Sequence, residues 1–434
     1  MKKIICLLLC VGLLLCITAC QKKGEAPGET ESSTVAEDQV PTEDPENKQD
    51  GDAAEIKLLT LEKALYANFE WVDDYNGTLV RSEYSCVTLG QEDADAYPEM
   101  AQVLRQIAAA QENAMLDEFS ILATTAREEF AANRDGFETY TSLLNVQVRR
   151  ADSVVVSLLS DSYLYCGGVG NYRALHGSNY DPESGKMLEL KDVVKEINGD
   201  LALAVQEELT GHMWTGDFYS ESAVEDYFTS MPDDGISWTV DYIGVTFYFA
   251  PGDLCDEGAM TATVSFAEHP ELFNEKYMTA PTAYTVELPQ DISFFTQLDG
   301  DSALEEIAVS GLYDAQRNNY TSYGIYTDTD GQYYEEECYT HALHPYYVKA
   351  AEGNYLYLFC EDLEEEWRQM RLMVFSLNED GSVTKSGEMN LSPSWRTYNQ
   401  FVVPTNPGNL ILDDADNDIQ NASFVVGSDG LPEN

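Results

Sequence analysis

Between Thr78 and Phe266 two stretches carry helical periodicity, and both are set among extended, β-branched runs. The longer opens at Tyr97-Pro98 and continues to about Asn133, with Val103, Leu104, Ile107, Met115, Leu116, Phe119 and Leu122 at helical spacing. Pro98 falls in the first turn, where its missing N–H costs nothing. Strands are expected at Thr78 to Leu89, Leu143 to Val148 and Val154 to Tyr165, with an extended segment from Arg173 to Tyr180 and a reverse turn at Asp181-Pro182-Glu183-Ser184-Gly185-Lys186. A second helix is expected through Val193, Ile197, Leu201, Val205 and Leu209, followed by strands at Trp238 to Ala250 and Ala262 to Phe266. Strands on both sides of a few helices predict an α+β fold, an antiparallel sheet with helices packed on one face. From about Asp291 the Tyr-rich strands and acidic turns predict a smaller β-rich C-terminal domain.

The N-terminus sets the expected compartment. Lys2 and Lys3 precede an apolar run too short to span a bilayer comfortably, and Ile17-Thr18-Ala19-Cys20 resembles a bacterial lipobox. That resemblance implies cleavage before Cys20 and lipidation of its sulfur, which would hold the protein on the outer face of the cytoplasmic membrane. Gly24 to Glu55 is rich in Glu, Asp, Pro, Ser and Thr without apolar periodicity and reads as a disordered acidic tether. No second apolar run of helical length follows, and about 380 residues remain to fold.

The formal charge is −53 over 434 residues. Such a polyanion is a poor partner for nucleic acid or anionic lipid and attracts cationic proteins from a distance. Beyond the leader and Cys20 the cysteines are Cys86, Cys166, Cys255, Cys338 and Cys360, an odd, widely spaced set rather than a disulfide framework; Cys338 with Cys360 is one possible bridge.

Tyr165-Cys166-Gly167-Gly168-Val169-Gly170-Asn171-Tyr172 leads into an extended segment, whereas a phosphate-cradling glycine loop opens a helix. The glycines are therefore expected to serve a turn with positive φ or a close backbone approach. Gly167-Gly168, Asn179-Tyr180-Asp181, Ser184-Gly185-Lys186, Leu188, Leu190-Lys191-Asp192 and Val245-Thr246-Phe247-Tyr248-Phe249-Ala250-Pro251-Gly252 occur in the order of the RsiV-like domain family, which this chain resembles. The helical region from Tyr97 to Asn133 with its flanking strands is similar to the companion PdaC-type N-terminal domain. The resemblance implies a PdaC-type domain at 56–152 and an RsiV-like domain at 153–288, set between the signal peptide at 1–19 and tether at 20–55 read from the leader and composition and the β-rich domain expected at 289–434. It also implies an ectodomain that binds a cell-wall-associated or host protein such as cationic lysozyme. The candidate ligand-binding residues are Gly167, Gly168, Asn171, Tyr172, His176, Tyr180 and Asp181. Family members read Gly-Gly-Ala-His where this chain reads Gly167-Gly168-Val169-Gly170, so the nearest histidine is His176. A sigma-binding segment is not read in the sequence, and Pro232-Asp233-Asp234-Gly235 lacks the flanks of the deacetylase fingerprint.

Metal candidates are weaker. Asp299, Asp301 and Glu305 resemble an acidic Ca²⁺ loop in which Gln297 holds the first ligand position, and Asp414-Ala415-Asp416-Asn417-Asp418 repeats the spacing with Ile419 where a calcium loop wants glycine. Cys338, His341 and His344 have zinc-like intervals, with Cys360 a distant fourth ligand, but Pro345 breaks any helix that would align them. No nucleophile–base pair is legible, so a binding module is expected rather than an enzyme. The alternatives are a wall glycan- or peptide-modifying enzyme using Asp181 or Glu183, and a structural envelope protein.

Overall fold

The structure is a computed structural model, and it describes residues 56–433 apart from 73–76, 169–171, 213–217, 233–234, 256–258, 301–303, 315–316, 328–331, 365–366 and 392–398. β1 (Leu61–Val72) and β2 (Gly77–Leu89) form an antiparallel pair, and two helices follow, α1 (Gln91–Ala96) and α2 (Pro98–Ala132). The chain then returns as β3 (Tyr140–Ala151), β4 (Val156–Tyr165) and β5 (Tyr172–Tyr180), giving the sheet order β1-β2-β3-β4-β5. The sheet is antiparallel as expected except where β3 runs parallel to β2. A crossover as long as α2 permits that parallel return.

α2 spans the predicted stretch and lies along the sheet, burying residues at three- and four-residue spacing. Met100 and Leu104 pack with Leu61 and Val87, Met115 with Tyr84 and Leu144, and Leu122, Ala126 and Phe130 with Leu79 and Tyr140. One apolar stripe thus meets three successive patches of sheet.

Two sequence expectations are corrected in the next segment. The second helix is split into α3 (Leu190–Val193) and α4 (Gly199–His212), and Ile197 lies in neither. Asn198 starts α4 afresh, its Oδ1 accepting the N–H groups of Asp200 (3.0 Å) and Leu201 (3.3 Å). After α5 (Ala223–Ser230), the strand expected from Trp238 to Ala250 is a hairpin of β6 (Ser237–Val240) and β7 (Gly244–Phe249). Asp241 Oδ1 makes the turn by accepting from Ile243 N–H (2.8 Å) and Gly244 N–H (3.1 Å). β8 (Met260–Ser265) completes a three-stranded sheet, whose Phe247, Phe249 and Val264 pack against Leu201, Val205 and Phe228 of the helices.

Following α6 (Glu275–Met278) and β9 (Tyr284–Glu287), the remainder is almost entirely strand. β10 (Phe294–Thr296), β11 (Glu305–Asp314), β12 (Asn319–Thr327) and β13 (Gln332–Thr340) form one sheet. β14 (Ala342–Ala350), β15 (Gly353–Glu364), β16 (Trp367–Leu377) and β17 (Val383–Asn390) form another with β9, in the order β17-β16-β15-β14-β9. The run Tyr355-Leu356-Tyr357-Leu358-Phe359-Cys360 explains how that sheet is placed. Tyr355, Tyr357 and Phe359 join the core shared with Leu59, Val148 and Leu158, whereas Leu356, Leu358 and Cys360 join the core shared with Ile307, Tyr323 and Ile325. A strand buried on both faces reads as a continuous apolar run.

β18 (Gln400–Val402) pairs with the outer edge of β1, so the first sheet is completed by a strand from the chain's last tenth. β19 (Leu410–Asp414), β20 (Ile419–Val426) and β21 (Pro432–Glu433) make a small final sheet. Cys338 and Cys360, the possible bridge, are both free thiols; Cys360 faces the interior among Leu356 and Leu358, and the Cys338 thiol is directed to Tyr320 O at 3.6 Å.

Candidate functional site

The glycine loop joins β4 to β5 as a hairpin, with Gly167 at φ 67° and Gly168 at φ 57°. Both angles favour glycine, and a Cβ on Gly167 would also meet Tyr140 Cε1 at 3.0 Å. Val169, Gly170 and Asn171 lie outside the described residues. Tyr172, His176 and Tyr180 occupy one face of β5, since each is four residues from the next. That spacing spreads them over roughly 26 Å rather than gathering them. Tyr172 packs beside Leu164 and Phe130, Tyr180 is buried in the core with Met100, and burial pushes the half-buried His176 imidazole below its ordinary pKa.

Asp181 belongs to the predicted turn, which closes through Gly185 N–H to Asp181 O (2.8 Å) with Gly185 at φ 64°. Burial alone would raise the Asp181 carboxyl. The Ser184 N–H and hydroxyl, together with Lys276 Nζ at 3.2 Å, outweigh it and hold the group below the usual range. An ionised carboxylate fixed in this way is a turn anchor, and Glu183 beside it is exposed.

The metal loops are satisfied locally where they are described. Glu305 Oε2 accepts Leu298 N–H at 2.6 Å, Asp299 is exposed, and Asp301 lies outside the described residues. Asp414 accepts from the Asn417 N–H (3.1 Å) and side-chain amide (2.8 Å), closing the second acidic turn on itself. The zinc-like set does not converge. His341 Nε2 lies 2.9 Å from Glu83 Oε1, whereas His344 Nε2 lies 3.3 Å from Glu361 Oε2.

Three clusters escape sequence reading. The first is Arg81, Glu83, His341 and Tyr313, where Arg81 Nε donates to Glu83 Oε1 (2.7 Å), hydrogen-bonds the Tyr313 hydroxyl and stacks over its ring at 5.1 Å. Glu83 and His341 are 258 positions apart, so no local pattern reveals them. The second lies where three sheets meet. Lys63 pairs with Glu287, Arg149 Nη1 donates to Glu287 O (2.6 Å), and Arg150 pairs with Asp152 (2.7 Å) while donating to the carbonyls of Asp241, Tyr277 and Thr279. Burial pushes the Asp241 carboxyl up although Arg149 opposes it. Here a signal did exist, because consecutive arginines in the apolar strand Val146 to Ala151 must either break the strand or find buried partners.

The third cluster is Glu208 of α4 with Glu268 and His269, which follow β8; each offers a donor atom, all within 4.8 Å of one another. Burial, then Glu268 and Glu207, push the Glu208 carboxyl up to about 7.

No protein-family model matches the chain, and no curated protein matches it. Among solved structures it is similar to a DUF3298 family member from Bacteroides fragilis, at 12% identity over 51% of this chain and 98% of that one, with a TM-score of 0.38. It is also similar to a DUF3298 family protein from Pseudomonas aeruginosa, at 13% identity over 53% of this chain and 99% of that one, with a TM-score of 0.31.

Proposed function

We propose that the protein is a lipid-anchored, extracytoplasmic binding module that captures a cationic protein of the cell-wall environment, lysozyme being the chemical type. The observation that carries this reading is where the fold puts its charge. Lys63, Arg81, Arg149 and Arg150 are buried, each against a carboxylate. These pairs cancel internally, so four of the chain's 24 lysines and arginines are withdrawn from the surface, while carboxylates such as Glu92, Glu99, Glu183, Glu352 and Asp429 are exposed. The lipobox resemblance at Cys20 supports the anchor, and the acidic tether would hold the folded part clear of an anionic bilayer. Among the described residues no helix is long and apolar enough to cross a membrane.

The test is retention of lysozyme by the mature chain, carrying Cys20→Ser so that it stays in solution, at low and at moderate salt, with cytochrome c as a cationic protein foreign to the wall. Retention of lysozyme at both salts with cytochrome c lost at the higher one is expected. Absence of lysozyme retention at either salt removes the lysozyme reading, and equal behaviour of the two proteins reduces it to unspecific charge.

A further inference from the structure

We propose that Glu208, Glu268 and His269 bind one divalent transition-metal ion of the Zn²⁺ class. The three side chains come from two elements that the core fixes in place. On α4, Glu208 is followed by Leu209 and sits one turn from Val205 and Ala204, all three buried. Beyond β8, Phe266, Leu272 and Phe273 are buried on either side of the other two ligands. Backbone bonds from His269 N–H to Ser265 O and from Leu272 N–H to His269 O, both 3.1 Å, shape the loop between them. The backbone that carries the triad is thus held by a scaffold.

Donor atoms around a tetrahedral zinc ion lie about 3.4 Å apart, so a spread within 4.8 Å closes onto one ion by small side-chain rotations. Two carboxylates this close repel one another, and a shared cation turns that repulsion into attraction. The imidazole decides the class of ion. Oxygen-only shells suit Ca²⁺ and Mg²⁺, whereas one imidazole with two carboxylates suits Zn²⁺ and its transition-metal neighbours. Glu271 Oε1, 3.7 Å from His269 Nδ1, places a further carboxylate beside the imidazole. Glu268 is exposed, so the remaining coordination positions open to water and the ion can enter without opening the fold.

Calorimetric titration of the mature Cys20→Ser chain with Zn²⁺ in excess Ca²⁺ tests the site, because Ca²⁺ occupies unspecific acidic surface. Wild type is expected to take up one Zn²⁺, and His269→Ala and Glu208→Gln to bind it about tenfold more weakly or worse. His269→Ala keeps every carboxylate, so unchanged binding in that variant assigns the zinc to diffuse charge and overturns the proposal. Absence of a saturable site in wild type overturns it as well. Should either variant lose its native circular dichroism, Glu268→Gln, at an exposed position, gives the same reading.

Discussion

Lys63 on β1 and Glu287 at the end of β9, 224 positions apart, form an ion pair whose side chains are 0% and 1% exposed. Glu287 also accepts Val148 N–H from β3 at 3.1 Å, and its carbonyl accepts from Arg149. One residue therefore ties the first sheet to the sheet built by the last third of the chain. Removing one member of a buried pair leaves the other charged and unsatisfied. Lys63→Met is expected to destabilise the protein by about 3–5 kcal/mol, and the double variant Lys63→Met/Glu287→Leu by clearly less. Urea unfolding of the single and double variants measures both, and a double variant worse than the single would contradict the account.

The two glycine types in the β4–β5 hairpin should respond differently to alanine. Gly177 has ordinary φ but sits where β5 crosses β6, and a Cβ there would lie 1.8 Å from Trp238 O. Backbone cannot yield as a side-chain tip can, so Gly177→Ala is expected to cost about 3 kcal/mol or more. Gly168, at φ 57° with nothing within 4 Å, carries only conformational strain, and Gly168→Ala is expected to cost about 1–2 kcal/mol. Melting temperatures of the two variants establish the order.

What the sequence revealed and what it hid follow from the range of the interactions. α2, the β4–β5 strands and the Asp181 to Lys186 turn are set by local terms: apolar spacing, Pro98, and glycine at positive φ. β1 has no comparable signature, since Leu61-Glu62-Lys63-Ala64-Leu65 is made of good helix formers. It is a strand because β2 and β18 pair with it on either side, a tertiary decision. The β6–β7 hairpin was hidden because Tyr242 and Ile243, the central residues of the Asp241-to-Gly244 turn, continue the apolar run of the flanking strands. Candidate sites fared worse for the same reason. Tyr172, His176 and Tyr180 are neighbours in sequence and distant in space, whereas Glu83 and His341 are the reverse.

Cys338 and Cys360 are free, and burial pushes both thiols up, Cys338 to about 11 and Cys360 further. Thiolate is the reactive form, so both should be labelled slowly by iodoacetamide in the native protein near pH 8. Peptide mass mapping should find Cys338 modified before the fully buried Cys360, and both modified rapidly in urea. A Cys338–Cys360 disulfide peptide from unreduced protein would contradict the structure.

Glu83 should make stability depend on acid. Burial alone would raise its carboxyl, but the Arg81 guanidinium and then the His341 imidazole outweigh that and hold it well below the usual carboxylate range. A carboxylate whose pKa falls on folding contributes stability that is fully present above its unfolded value, about 4.3. That contribution is lost progressively as pH falls from there toward the folded value, because the unfolded chain takes up the proton first. Glu83→Gln cannot titrate. It is expected to lower stability at neutral pH by about 3 kcal/mol, since Arg81 loses its buried counter-charge and one of the two oxygens that Arg81 and His341 share becomes an N–H donor. Its urea midpoint should then fall less than that of wild type between about pH 5 and about pH 3. Parallel pH profiles for the two proteins would show that the Arg81–Glu83–His341 cluster does not carry the acid sensitivity.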